Sequence, residues 1–226
     1  FFDNFNYNDI TGTIWLKISQ SIFEIKRRPI KSNSRRYVDG SHAYQYTNVE
    51  FNNSKSAYNG IVTHLGQGIP YNALNNGKIN VFGSSHWKNF QDCDPINVIK
   101  FDDPGFCYHS DSVPNSWITY EFISCKVNPS HYSIRSGAWG PQGYYHPKSW
   151  VIEGSNDLQS DNWAVLDTRS NEISLDNRCA SNTFTIQNRT NEFYRYLRIR
   201  QTDVNTHGDH CFIFSSLEYF GVIREQ

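Results

Sequence analysis

Three short stretches hold the side chains best suited to gripping a ligand. SSHWKNF (84–90) carries His86, Trp87, Lys88 and Phe90 within one turn's reach. SGAWGPQGYYHPKSW (136–150) carries Trp139, Tyr144 and Tyr145 among Gly137, Gly140 and Gly143. DVNTHGDH (203–210) adds His207. Flat aromatic rings stack on sugar faces or anchor a protein partner, and imidazole and ammonium groups supply the polar contacts. Pro141 and Pro147 exclude a helix and a central strand from the second stretch, so it is a loop. Each stretch also has a plainer role. Trp87 would close one end of a β-structure, Trp139 would pack on a rim, and residues 146–150 lead into a core strand.

Metal-ligating types occur as Cys107-x-His109 and His207-x-x-His210-Cys211, neither of which completes a zinc set at usual spacing. Enzyme signatures are missing: no P-loop, G-x-S-x-G, H-E-x-x-H or dinucleotide fingerprint is present. His109, Ser110 and Asp111 are adjacent in sequence, which is not how a catalytic triad is built, and Glu121, Glu153 and Glu218 are scattered. The expectation is a binding protein, not an enzyme.

Residues 26–37, KRRPIKSNSRRY, hold six basic residues and no acid. With so few core-forming residues the segment reads as a flexible arm that orders only against something. Arg27, Arg28, Lys31, Arg35 and Arg36 suit phosphates or an acidic protein lattice such as tubulin, with Tyr37, Tyr44 and Tyr46 as flat contact area. A net charge of −1 gives no global pull toward nucleic acid, and none is expected as a partner. No apolar run reaches the length of a transmembrane helix. The five cysteines, an odd number at irregular spacing, favour reduced thiols in an intracellular setting over a disulfide framework. Sequons at Asn52 and Asn188 arise easily by chance in an Asn-rich chain. With no Met and Phe at position 1, the chain is expected to be cut from a longer protein.

The elements that must position these loops are short strands. WITYEF (117–122) alternates, with Ile118, Tyr120 and Phe122 on one face. Tyr132 and Ile134, SWVIE (149–153), Phe184 with Ile186, YRYLRIR (194–200) with Leu197 and Ile199 inward, Phe212–Phe214 and Leu217–Phe220 continue the set. Aromatics at 15% supply burial area where aliphatic residues are few. Residues 14–25, IWLKISQSIFEI, fit a strand through Ile14, Leu16 and Ile18 and fit a helix through Ile14, Ile18, Ile22 and Ile25. NGIVTHL (59–65) reads as one helical turn leading into the sandwich.

Several of these pieces, in order, resemble the discoidin family, also called the coagulation factor 5/8 type C domain. YYHPKSWVIEGSND (144–157) followed by Trp163 matches its aliphatic strand, S-N-D turn and Trp. FYRYLRIRQT (193–202) resembles its penultimate strand and LEYFG (217–221) its closing strand. Residues 102–110 resemble its acidic turn, although Tyr108 stands where Trp is common. The likeness covers residues 78–222 and is nearest to intracellular protozoan members, which often lie beside a BTB-type module not visible here. It implies an all-β, discoidin-like jelly-roll sandwich that binds through loops at one pole. Some relatives hold a structural calcium, for which Asp102, Asp103 and Glu218 would supply oxygens; no other cofactor is implied. Secreted members bridge a cysteine at each end of the domain. Here both ends lack one, which again favours an intracellular protein.

The organisation expected is an irregular extension with the basic arm (1–57), a connecting segment (58–77), the sandwich (78–222) and a tail (223–226). The function expected is a protein-interaction and scaffold module of an intracellular assembly, docking on a cytoskeletal lattice of microtubules or a cilium. A glycan-binding, lectin-like module through Trp87, Trp139 and Tyr144 is the alternative, and a peripheral phospholipid binder through Trp87 and Phe90 is the second.

Overall fold

In the computed structural model, side chains are described for residues 44–88 and 91–225. Residues 1–4, 9–12, 19–20, 27–33, 40–41, 90 and 226 lie outside the described set, and for the rest before 44 and for Asn89 only the backbone is described. The chain forms two compact units, residues 1–33 and 34–226.

In the first unit β1 (Phe5–Asn8), β2 (Thr13–Ile18) and β3 (Ser21–Lys26) form an antiparallel sheet in that order. β2 and β3 pair from Thr13↔Lys26 to Ile18↔Ser21. The helix considered for residues 14–25 is therefore replaced by two strands. The β-branched and aromatic content of TIWLKI and SIFEIK fits a pleated surface better than a helix.

The second unit contains β4 (Ser34–Asp39), β5 (His42–Val49), α1 (Ile61–Leu65), α2 (Pro70–Asn75), β6 (Ile79–Gly83), β7 (Tyr108–His109), β8 (Trp117–Phe122), β9 (Cys125–Arg135), β10 (Trp150–Ser155), β11 (Ala164–Arg169), β12 (Ser181–Thr185), β13 (Tyr196–Gln201), β14 (Ile213–Phe214) and β15 (Ser216–Glu225). Two antiparallel five-stranded sheets result, ordered β11-β10-β13-β8-β6 and β12-β9-β15-β5-β4, with a small β14-β7 pair beside them.

Alternation explains which faces meet. Ile118, Tyr120, Phe122, Leu197, Ile199 and Ile152 of the first sheet are buried together with Val127, Tyr132, Ile134, Leu217 and Tyr219 of the second. The Tyr120 hydroxyl donates to the Leu217 carbonyl at 2.8 Å, and its ring meets Tyr219 edge-on at 5.4 Å. The Trp150 indole N–H donates to the Tyr132 hydroxyl at 2.9 Å, which donates to Asp167 Oδ2 at 2.7 Å. Aromatics that cross the sandwich thus bring their polar ends to partners, as buried Tyr and Trp require. The expected all-β jelly-roll sandwich is what the chain forms.

Two expectations need correction. The segment before residue 58 is not irregular throughout, since its described residues include strands: β5 pairs with β15 from Val49↔Gly221 to Tyr46↔Arg224, and β4 pairs with β5. Arg35 and Arg36 lie in β4, paired with Tyr46 and Gln45, because Tyr37, Val38, Tyr44 and Tyr46 supply strand-forming residues that the charge run masks. Arg27, Arg28 and Lys31 lie outside the described residues. The tail begun at residue 223 is also strand, since β15 runs to Glu225.

Candidate functional site

Strand register gathers the three loops at one pole. Gly83↔Ile118, Arg200↔Trp117 and Trp150↔Gln201 align the end of β6, the start of β8, the end of β13 and the start of β10. The loop from β9 to β10, residues 136–149, and the loop from β13 to β14, residues 202–212, leave from this same end. With the turn after β6 they surround a cavity of about 500 Å³.

One wall is Trp87, whose ring lies flat on His109 at 5.1 Å with 10° between planes. Lys88, at φ 50, turns its ammonium back over Trp87, 4.4 Å from the ring centroid. His109 is fixed from behind, since β7 pairs it with Ile213 of β14. Burial holds its imidazole below its ordinary value, against the pull of Asp209 and Asp111.

The facing wall is the loop 137–146. Gly140 sits at φ 70, and a Cβ there would lie 2.0 Å from the Tyr144 ring. Only glycine allows this close approach of ring to backbone. Tyr144 meets Tyr145 edge-on at 5.0 Å, and Tyr145 lies against His207 at 4.2 Å. The His146 N–H donates to Thr206 Oγ1 at 3.0 Å and the Thr206 N–H to the His146 carbonyl at 3.1 Å. Buried Asn205 accepts from the N–H groups of His207 and Asp209 and donates to the Cys211 carbonyl. The two loops are thus stitched to each other and internally. Trp139, 57% exposed, and Tyr144, 42% exposed, remain available on the surface.

The floor holds Cys93, Cys107 and Cys211. Burial pushes the Cys107 thiol up to about 12, Cys93 adds to that, and a hydrogen bond with Trp139 opposes it. Cys211 is pushed up to about 11, again chiefly by burial. Such groups stay protonated and are poor nucleophiles and poor metal ligands. Two carboxylates complete the lining, Asp92 and Asp209. A hydrogen bond from the Ser112 hydroxyl and one from the Cys211 N–H hold Asp209 down at about 2.

The structure brings together Trp87, Trp139, Tyr144 and Tyr145 from the predicted set, with Lys88 beside Trp87 and His207 behind Tyr145. His86 is half-buried and is not part of the lining, and Phe90 lies outside the described residues. Asp92, His109 and Asp209 were not predicted as ligand contacts. His109 stands in the sequence only as a zinc-type residue and as part of the His109-Ser110-Asp111 run, Asp209 falls within the third stretch (203–210), and nothing local marks Asp92.

The calcium set does not assemble. Glu218 is fully buried and accepts from the N–H groups of Gly60, Val62, Thr63 and Tyr219 and from the Thr63 hydroxyl, at 2.9–3.2 Å. It anchors the start of α1, and its oxygens are spent there. Asp103 turns its Oδ1 to the Gly105 N–H at 2.9 Å. Among the described residues no three His, Cys, Asp or Glu side chains are grouped to hold a metal ion, and no helix is long and apolar enough to cross a membrane.

No family model matches the chain, and no curated protein matches it. Solved structures do. The Clostridium perfringens module CpGH89CBM32-5, in complex with GalNAc-β-1,3-galactose, is 10% identical, with 64% of this chain and 96% of that one covered and a TM-score of 0.49. A chitosan-binding module from a chitosanase/glucanase of Paenibacillus sp. IK-5 is 16% identical over 64% and 96%, at 0.48. A fucolectin from striped bass (Morone saxatilis) serum is 15% identical over 64% and 47%, at 0.49. Likeness at this level says nothing about a ligand for this chain, and the pocket has to carry that reading by itself.

Proposed function

We propose that this chain is a non-catalytic glycan-binding module and that the aromatic pole pocket is its site. The observation that carries the reading is the pair of aromatic walls, Trp87 on His109 and Trp139 with Tyr144, facing a cavity that also holds carboxylates and imidazoles. Sugar rings present an apolar C–H face and a polar hydroxyl edge, and such walls match both. The loops are already fastened to each other, so little ordering is needed on binding, which favours affinity for a small, weakly adhesive ligand. The test is a glycan array followed by titration calorimetry with the wild type and Trp139→Ala. Binding to at least one glycan class, weakened about tenfold or more by the substitution, supports the reading; a tenfold loss corresponds to about 1.4 kcal/mol. A folded protein that binds no glycan on a broad array overturns it.

The scaffold reading has lost part of its ground. Two of the five basic residues on which it rested belong to a paired strand, and the other three lie outside the described residues. The membrane reading rested on Trp87 and Phe90 as exposed tips; Trp87 stacks on His109, and Phe90 lies outside the described residues.

A further inference from the structure

We infer that the pocket selects saccharides that carry a free amine over neutral and acidic ones. The inference rests on the glycan-binding reading and adds the ligand's charge. Among the described residues no Lys or Arg lines the cavity; its carboxylates are Asp92 and Asp209, and its imidazoles are His109 and His146. Beside the cavity, Lys88 holds its ammonium over the Trp87 ring. Asp209 is ionised throughout the ordinary pH range, for the hydrogen-bonding reasons given above, and burial disfavours the charged form of His109. The aromatic walls add to this bias. Ring faces carry negative electrostatic potential and attract ammonium groups. A sugar stacked on Trp139 or Tyr144 with an amine on its edge meets carboxylates and ring faces together. A uronic acid, a sulfated sugar or a phosphate head group meets two carboxylates and, among the described residues, no lining Lys or Arg to receive it. Like charges placed so are a source of rejection as well as preference.

The experiment is titration calorimetry of the full chain with a glucosamine oligomer, its N-acetylated counterpart and an oligouronate. It is run slightly below neutral pH, where the sugar amine is protonated, at low and at raised salt. The expected result is that the amine-bearing oligomer binds at least about tenfold more tightly than the acetylated one, that this ratio shrinks as salt screens the charges, and that the oligouronate is weakest. Asp92→Asn, a substitution at an exposed position, should bring the amine-to-acetyl ratio toward one. Equal or tighter binding of the acetylated or uronate oligomer, or a ratio unmoved by Asp92→Asn, overturns the amine selectivity while leaving glycan binding intact. Absence of binding by all of them to a folded protein overturns both.

Discussion

Trp139 and Glu153 mark opposite ways in which one side chain matters here. Trp139 is mostly in solvent, so Trp139→Ala is expected to change folding stability by only about 0.5 kcal/mol while weakening ligand binding. Paired urea denaturation and calorimetry would check the split, and an unfolded variant would place Trp139 in the packing instead. Glu153 faces out from the first sheet, yet it is nearly buried, because Arg198 and Arg200 close over it at 2.8 and 2.7 Å and Arg198 stacks on Trp163 at 4.0 Å. Removing one partner of a buried ion pair costs roughly 3–5 kcal/mol. Arg198 and Arg200 keep some access to water, so Glu153→Gln is expected to cost about 2 kcal/mol. A denaturation midpoint equal to wild type would show that the cluster contributes little.

Loops and helix ends have their own logic, and two substitutions probe it. Gly140→Ala would drive a methyl group into the Tyr144 ring at a positive φ, so the loop must rebuild. The expected outcome is loss of ligand binding with a modest drop in thermal midpoint, and unchanged affinity would mean that Tyr144 takes no part. Glu218, which reaches from β15 to the start of α1, is the titrating group. Burial, its largest influence, pushes the carboxyl from 4.5 up to about 7, while the backbone donors pull back. A carboxyl raised in the folded state binds its proton more tightly than in the unfolded chain. Its contribution to stability is therefore fully present below about pH 4.5 and is lost as pH rises through 7. His109 and His131, both pushed down by burial, act in the opposite direction. The readout is thus the difference between wild type and Glu218→Gln across this range: the variant should lack the decline on the alkaline side, and identical slopes would sink the assignment. The sequence made the strands legible where alternation was clean, as in WITYEF and YRYLRIR, because one face is buried and the other carries charge. It hid β4 and β5, since a basic run covers the first and the second is built of Tyr and polar residues with few aliphatic ones. The pocket was half legible. Trp139, Tyr144 and Tyr145 announce themselves between glycines, whereas Asp92, His109 and Asp209 reach the cavity only through the β7–β14 pairing and the short turns around it.

At the scale of the whole molecule the prediction concerns where the chain can be cut. Removing residues 1–33 takes away a unit with its own sheet, and the remaining sandwich should fold and bind ligand as before. Removing residues 1–57 strips β4 and β5 and leaves β15 as a bare edge, along with the contacts of Phe51 on Phe220 and Tyr46 on Phe193. An unpaired edge invites aggregation. The longer truncation should therefore melt at lower temperature, with about 2–4 °C lost per kcal/mol, and should associate in solution. Equal melting of both truncated forms, read by calorimetry and light scattering, would show that β5 is dispensable. β15 also lies between β9 and β5, so the last of the sandwich's strands in chain order is the one that the second sheet closes around. During synthesis β5 leaves the ribosome early and then waits for its neighbour, on the order of ten to thirty seconds at about 5–20 residues per second. Throughout that interval the nascent chain carries two strand edges and an open aromatic layer, which close only when β15 has emerged to Glu225.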